Sequence, residues 1–230
     1  MTYSVTTQTP TSRIASTLCL ISIAVLILLP FFAGRGTIQD MFFILTMLVL
    51  AQFWNLLAGY SGLVSIGQQA FVGIGAYALF GVVILSGLDP VPAILIAGVG
   101  ALIIAVPTAF FAFRLNGAYF AIGTWVIAEV VRLLLAQWKT LGGGTGTSLP
   151  RDVTRDMWFV QSIQDLLGVR SAAARDILAY WLALILALAT IGGIYWLLRT
   201  RRGLALAAVR DNTEAAKSVG VDAGRMKWIV

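Results

Sequence analysis

Six blocks of this sequence, residues 14–32, 41–58, 69–86, 91–113, 119–138 and 176–198, are apolar over nearly their whole length. An α-helix needs about 20 such residues to cross the hydrocarbon layer of a membrane. Inside that layer no water is available to the backbone, so every amide must find its partner within the protein. The blocks therefore specify an all-α, polytopic helical bundle in a membrane, with residues 1–230 forming one transmembrane unit. A further apolar stretch begins at Met226 and reaches Val230.

Composition narrows the chemistry. The chain is 59% hydrophobic and 11% charged, and it contains no histidine. The commonest metal ligand and general base is thus missing, and Cys19 is the only cysteine, which leaves no zinc cluster, disulfide or Cys-His pair. The expected metal and catalytic sets are empty. The net charge of +6 does not read as a nucleic-acid surface, because the basic residues stand at the ends of apolar blocks and not on one face.

Those basic residues orient the chain. Residues 199–227 carry Arg199, Arg201, Arg202, Arg210, Lys217, Arg225 and Lys227 beside Asp211, Glu214 and Asp222, which marks a cytoplasmic segment. Counting back through six spans puts the N-terminus with Arg13, and the turn with Arg114, on the cytoplasmic side. Residues 139–175 then lie outside. Arg13 before the first block resembles the start of a signal peptide, but no Ala-x-Ala site follows Pro30, and an uncleaved span is the expectation.

Three places depart from plain spanning helices. The first is Gly59-Tyr-Ser-Gly-Leu-Val-Ser-Ile-Gly-Gln-Gln69, rich in glycine and polar side chains and free of charge. It reads as a broken or re-entrant segment, the kind of irregular backbone that lines substrate sites in transporters; a flexible cytoplasmic turn is the alternative. The second is Glu129 with Arg132, three residues apart on one helical face, either a self-neutralising structural pair or part of a path. The third is Pro107, expected to kink the fourth span. Candidate path residues are Gln52, Asn55, Gly59, Ser61, Gly62, Ser65, Gly67, Gln68, Gln69, Tyr77, Thr124, Glu129 and Arg132. Interhelical hydrogen bonding is an equally ordinary use of the uncharged ones.

Residues 202–222 form more than a basic loop. Asp211 or Asn212 can cap a helix, with Glu214 in the first turn; Ala215, Ala216 and Lys217 continue it, and Gly220 stops it. About two turns of helix are unstable alone in water, so the element requires a docking partner. A surface helix held by lipid headgroups is the alternative, and it lacks the large apolar face that such helices carry.

Gly203-Leu-Ala-Leu-Ala-Ala-Val-Arg-Asp-Asn-Thr-Glu-Ala-Ala-Lys-Ser-Val-Gly220 resembles the coupling-loop signature of the branched-chain amino acid ABC permease family. Residues 61–77 resemble its glycine-rich membrane motif, and residues 128–146 its glutamate-arginine helix with the following glycine-rich loop. Among the two paired permeases of that family the chain is most similar to the longer. The resemblance implies a second permease subunit, two cytoplasmic ATPase subunits and an external solute-binding protein, all set in a bacterial-type inner membrane. The chain lacks a Gly-x-x-x-x-Gly-Lys-Ser/Thr loop, so no cofactor is expected in this subunit, with ATP and Mg held by the ATPases. Arg210, Asp211, Asn212, Glu214, Ala215, Ala216, Lys217 and Gly220 are the expected ATPase contact. Family members continue beyond this loop with further spans, so the chain is expected to be incomplete or unusually short. Leucine, isoleucine and valine are the implied substrates; urea, short amides and other amino acids remain alternatives, as does a passive channel or secondary transporter.

Overall fold

The computed structural model describes residues 10–145, 148–149 and 157–230, and among these every regular element is helical. In chain order they are α1 (Pro10–Phe32), α2 (Arg35–Asn55) running on into a π-helical turn (Leu56–Tyr60), α3 (Gln68–Ser86), α4 (Pro90–Ala112), α5 (Ala118–Ala136), two 3-10 turns (Lys139–Leu141 and Gly143–Thr145), α6 (Trp158–Leu167), α7 (Ser171–Leu198), α8 (Arg201–Asp211), α9 (Thr213–Ser218) and α10 (Ala223–Lys227). Six helices are long and apolar enough to cross a membrane: α1, α2 with its π-helical turn, α3, α4, α5 and α7. The protein is a helical integral membrane protein with a broken glycine-rich segment between its second and third spans.

Their outward faces carry large apolar side chains such as Leu18, Ile44, Leu95, Ile103 and Leu134, as lipid-facing surfaces require. Helices without a hydrophobic drive toward each other associate through close packing of small residues. Accordingly α7 presents Ala174, Ala183 and Ala187 beside Tyr180 and Ile177 toward Ile38, Leu45 and Val49 of α2. The short helix α6, within the segment expected outside, buries Val160 and Ile163 in the same cluster and leaves Trp158 exposed. α3, α4 and α5 pack together as a second group, with Val83, Ala93 and Ala97 buried.

Charged contacts mark the two ends of the bundle. At one end Arg35 opens α2 and pairs with Asp176 in the first turns of α7, whose carboxylate also accepts from Gln39 Nε2 at 3.1 Å. At the other end Arg210 reaches Gly59, and Lys227 donates to Asn116 Oδ1 at 3.3 Å. The break, the α4–α5 turn and α8 to α10 therefore gather on one side of the bundle.

α4 continues through Pro107 without interruption. The other internal proline has a more definite partner. Pro30 in α1 has no amide hydrogen, which frees the carbonyl of Leu26 one turn earlier. The hydroxyl of Tyr180, fully buried on α7, donates to that carbonyl at 2.6 Å. Replacing Tyr180 by Phe should destabilise the protein by about 0.6 to 1.7 kcal/mol, the range measured for membrane hydrogen bonds. Pro30→Ala supplies an amide for the same carbonyl, so the double variant should recover most of the loss. A double-mutant cycle on thermal unfolding in detergent checks this, and strict additivity would refute it.

Candidate functional site

The site is built around the break. α2 ends in a π-helical turn, and residues 62–67 then follow an irregular course before α3 starts at Gln68. This stretch has no helix of its own to satisfy its backbone, so neighbours supply partners. Trp54 Nε1 donates to the carbonyl of Ser65 at 3.1 Å, Thr124 Oγ1 accepts from Ile66 N at 3.2 Å, and Ser65 Oγ accepts from Gly67 N at 3.3 Å. Ser61 Oγ returns to the carbonyl of Leu57 at 2.6 Å. Leu63 packs with Ala112 and Phe120 near the start of α5, and Gly67 sits directly on the backbone of Thr124 one turn further along. The segment therefore climbs along α5 as a broken stretch of chain held by hydrogen bonds to α2 and α5.

Two glycines in it answer to geometry. Gly62 has φ +72°, in the left-handed region that disfavours side chains, and a Cβ there would lie 3.2 Å from Arg210 Cγ. At Gly67 a Cβ would collide with the carbonyl of Thr124.

The residues expected along a path separate into three places. Gln69, Tyr77, Glu129 and Arg132 line a cleft of about 440 Å³ between α3 and α5, walled by Trp125, Val131 and Leu135. Within it Arg132 Nε meets Glu129 Oε2 at 2.9 Å and Nη2 meets Oε1 at 2.5 Å, a fork-on-fork pair. Tyr77 Oη donates to the carbonyl of Gly143, tying the glycine-rich turn after α5 over one side of the cleft. Ser65, Gln68 and Thr124 instead border an apolar groove of about 440 Å³ between α2, α3, α4 and α5. Ser61 and Gly62 border a polar pocket of about 680 Å³ shared with Arg210, Glu214 and Lys217. Gln52 and Asn55 lie on α2 and belong to none of these linings.

That polar pocket leads into the expected coupling element. α8 already occupies Arg201–Asp211, capped by Thr200. Asn212, and not Asp211, caps α9: its Oδ1 accepts from the amides of Glu214 and Ala215, each at 3.0 Å. Asp211 closes α8 and pairs with Arg210 at 2.8 Å. Lys217 and Glu214 pair at 2.9 Å, and Gly220 ends the element at φ +86°. Ala216 is buried with Val209 and Ala223, whereas Ala215 and Val219 are exposed. Arg210 reaches past α9, its Nη1 donating to the carbonyl of Gly59 at 2.8 Å.

Some residues of the site carried no signal in the sequence alone. Trp54 stands within a run that already reads as lipid-facing, and the Gly143 carbonyl has no side chain to betray it. Trp125 could have been found, because it lies one helical turn before Glu129.

Residues 36–230 match the family described as the branched-chain amino acid transport system / permease component. The chain belongs to this family. The permease is 30% identical over 228 residues to the high-affinity branched-chain amino acid transport system permease protein LivM of Escherichia coli K12, covering 94% of this chain and 54% of that protein. LivM of Salmonella typhimurium LT2 is also 30% identical, over 209 residues, covering 86% of this chain and 49% of its own length. The permease thus spans about half the length of the curated relatives it matches. No solved structure gives a significant match. Family and helices together define a multi-pass membrane protein of a transport permease family.

Gly67→Ala should push residues 61–67 off α5 and cost about 1 to 3 kcal/mol, the usual penalty of overpacking. Gly75→Ala and Gly98→Ala, where a Cβ meets nothing within 4 Å, should stay near wild type. Parallel melting curves of the three purified variants decide the matter.

Proposed function

We propose that this permease is the membrane-spanning subunit of an ATP-driven importer that carries leucine, isoleucine and valine across the cytoplasmic membrane, its N-terminus on the cytoplasmic side. Residues 1–230 act in this reading as one permease unit. A second permease subunit completes the path, two ATPase subunits bind ATP and Mg, and an external solute-binding protein delivers the amino acid. The relatives support the substrate class, since both are named as parts of a branched-chain amino acid transport system.

The observation that carries the ATP-driven part is the contact between Arg210 and the break. α9 buries Ala216 against Val209 of α8 and Ala223 of α10 and leaves Glu214, Ala215 and Lys217 exposed, with Val219 exposed just beyond its end. A helix this short depends on docking for its stability, and its outer face is open to a partner. Its anchor on the preceding helix, Arg210, hydrogen-bonds Gly59 and packs on Gly62. The break in turn rests on α5 through Gly67 and Thr124. Movement of a soluble ATPase against α9 therefore has a short, stiff route to the helix bearing Glu129 and Arg132. A passive channel or secondary transporter has no need of such a part.

Uptake of labelled leucine, with labelled urea as comparison, in cells with and without the gene tests the reading. Loss of energised leucine uptake on deletion, restored by the gene, supports it. Loss of urea uptake alone keeps the architecture and overturns the substrate. Glu214→Arg should leave insertion intact and sever ATP hydrolysis from uptake, and Arg210→Gln should lower uptake several-fold by removing the charge-assisted bond to Gly59, a bond worth about 1.5 to 3 kcal/mol. Wild-type uptake in both variants at normal protein levels would refute the coupling route.

A further inference from the structure

The pair in the α3–α5 cleft is placed unlike a structural ion pair. Glu129 and Arg132 stand on a membrane-spanning helix, yet their side chains are 46% and 64% exposed. Ionisable groups on such helices face the bundle interior or water and not lipid, so this opening admits something polar. The cleft has the size of a small-molecule site. It combines one fixed cation and one fixed anion with the side-chain amide of Gln69 and the apolar surface of Trp125, Val131 and Leu135.

We propose that this cleft binds the zwitterionic head of an α-amino acid, Arg132 taking the carboxylate and Glu129 the ammonium as their own pair opens, with the apolar side chain against Val131 and Leu135. The inference rests on the transport reading above and deepens it. Its physical basis is charge balance. Opening the pair leaves two charges without partners, a cost that rises as the surrounding membrane excludes bulk water from the cleft. A zwitterion replaces one internal ion pair with two external ones, so no charge is stranded. A lone carboxylate leaves Glu129 unpaired, a lone ammonium leaves Arg132 unpaired, and neutral urea compensates neither. The cleft thus selects by requiring both charges on one ligand. Tyr77, held by the Gly143 carbonyl, keeps the glycine-rich turn beside the opening, and Gln69, the second residue of α3, carries an amide that can serve either end of the ligand.

Direct protection of the cleft separates this site from selection by any delivering protein. Cys19, on the exposed face of α1, is replaced by Ser, and Ala136→Cys places a thiol in the cleft lining. Labelling by a water-soluble maleimide is then timed in membranes containing the full chain. L-leucine should slow it, while leucine amide, 4-methylpentanoate and urea should require concentrations about tenfold higher or more, the scale of one lost charged contact. In the Glu129→Gln, Arg132→Gln double variant, which strands no charge and so inserts normally, protection by leucine should disappear. Equal protection by leucine and its two singly charged analogues overturns the site, as does full protection in the double variant. Energised leucine uptake without protection overturns the site and leaves the importer standing. Protection without uptake does the reverse.

Discussion

The fold depends on the demand that every backbone amide in lipid find a partner inside the protein. Helices meet it by construction, which is why the described residues contain no other regular element. Where the chain departs from a helix at membrane depth, the demand falls on side chains and on close backbone approach. Residues 61–67 are therefore surrounded by Trp54, Thr124 and the hydroxyl of Ser65, each holding one of their polar groups. Gly67 is a consequence of the same demand, since only a residue without a side chain can lie so close to the backbone of α5. Trp54 belongs to α2 and Thr124 to α5, so the break is tied to both helices.

Charge follows the same economy. Glu129 and Arg132, well inside α5, pair with each other, and other charged contacts stand near the ends of helices. Arg35 and Asp176 fasten α2 to α7 at one end of the bundle, while Arg210 and Lys227 join α8 and α10 to the turns at the other. The bundle is consequently held by polar clasps at its rims and by alanine-lined packing between them.

The helices were legible in the sequence because membrane crossing imposes a length and a composition on each one, and a single chain displays both. The capped element after residue 211 was legible for a local reason, its cap and its glycine stop falling within nine residues; which of Asp211 and Asn212 caps it turned on α8 ending at 211, a boundary that alanine-rich sequence does not punctuate. The Glu129–Arg132 bond could be read from a spacing of three. What lay beyond reach was everything joining distant parts: Arg35 to Asp176, Tyr77 to Gly143, Arg210 to Gly59. No periodicity records which helix lies beside which. The break itself was visible as composition, but its course along α5 depended on where Thr124 happened to fall.

The bond from Tyr180 to the Leu26 carbonyl sets an order of events during synthesis. Its two ends are 154 residues apart, and ribosomes add about 5 to 20 residues each second. About 8 to 31 seconds therefore separate the synthesis of Leu26 from that of Tyr180, and until Tyr180 arrives the proline notch of α1 has a carbonyl without this partner. α1 is thus a waiting helix, loosely tethered through the short turn to α2, and it can take its final place only when α7 arrives. The earliest of these six spans is among the last to be fastened.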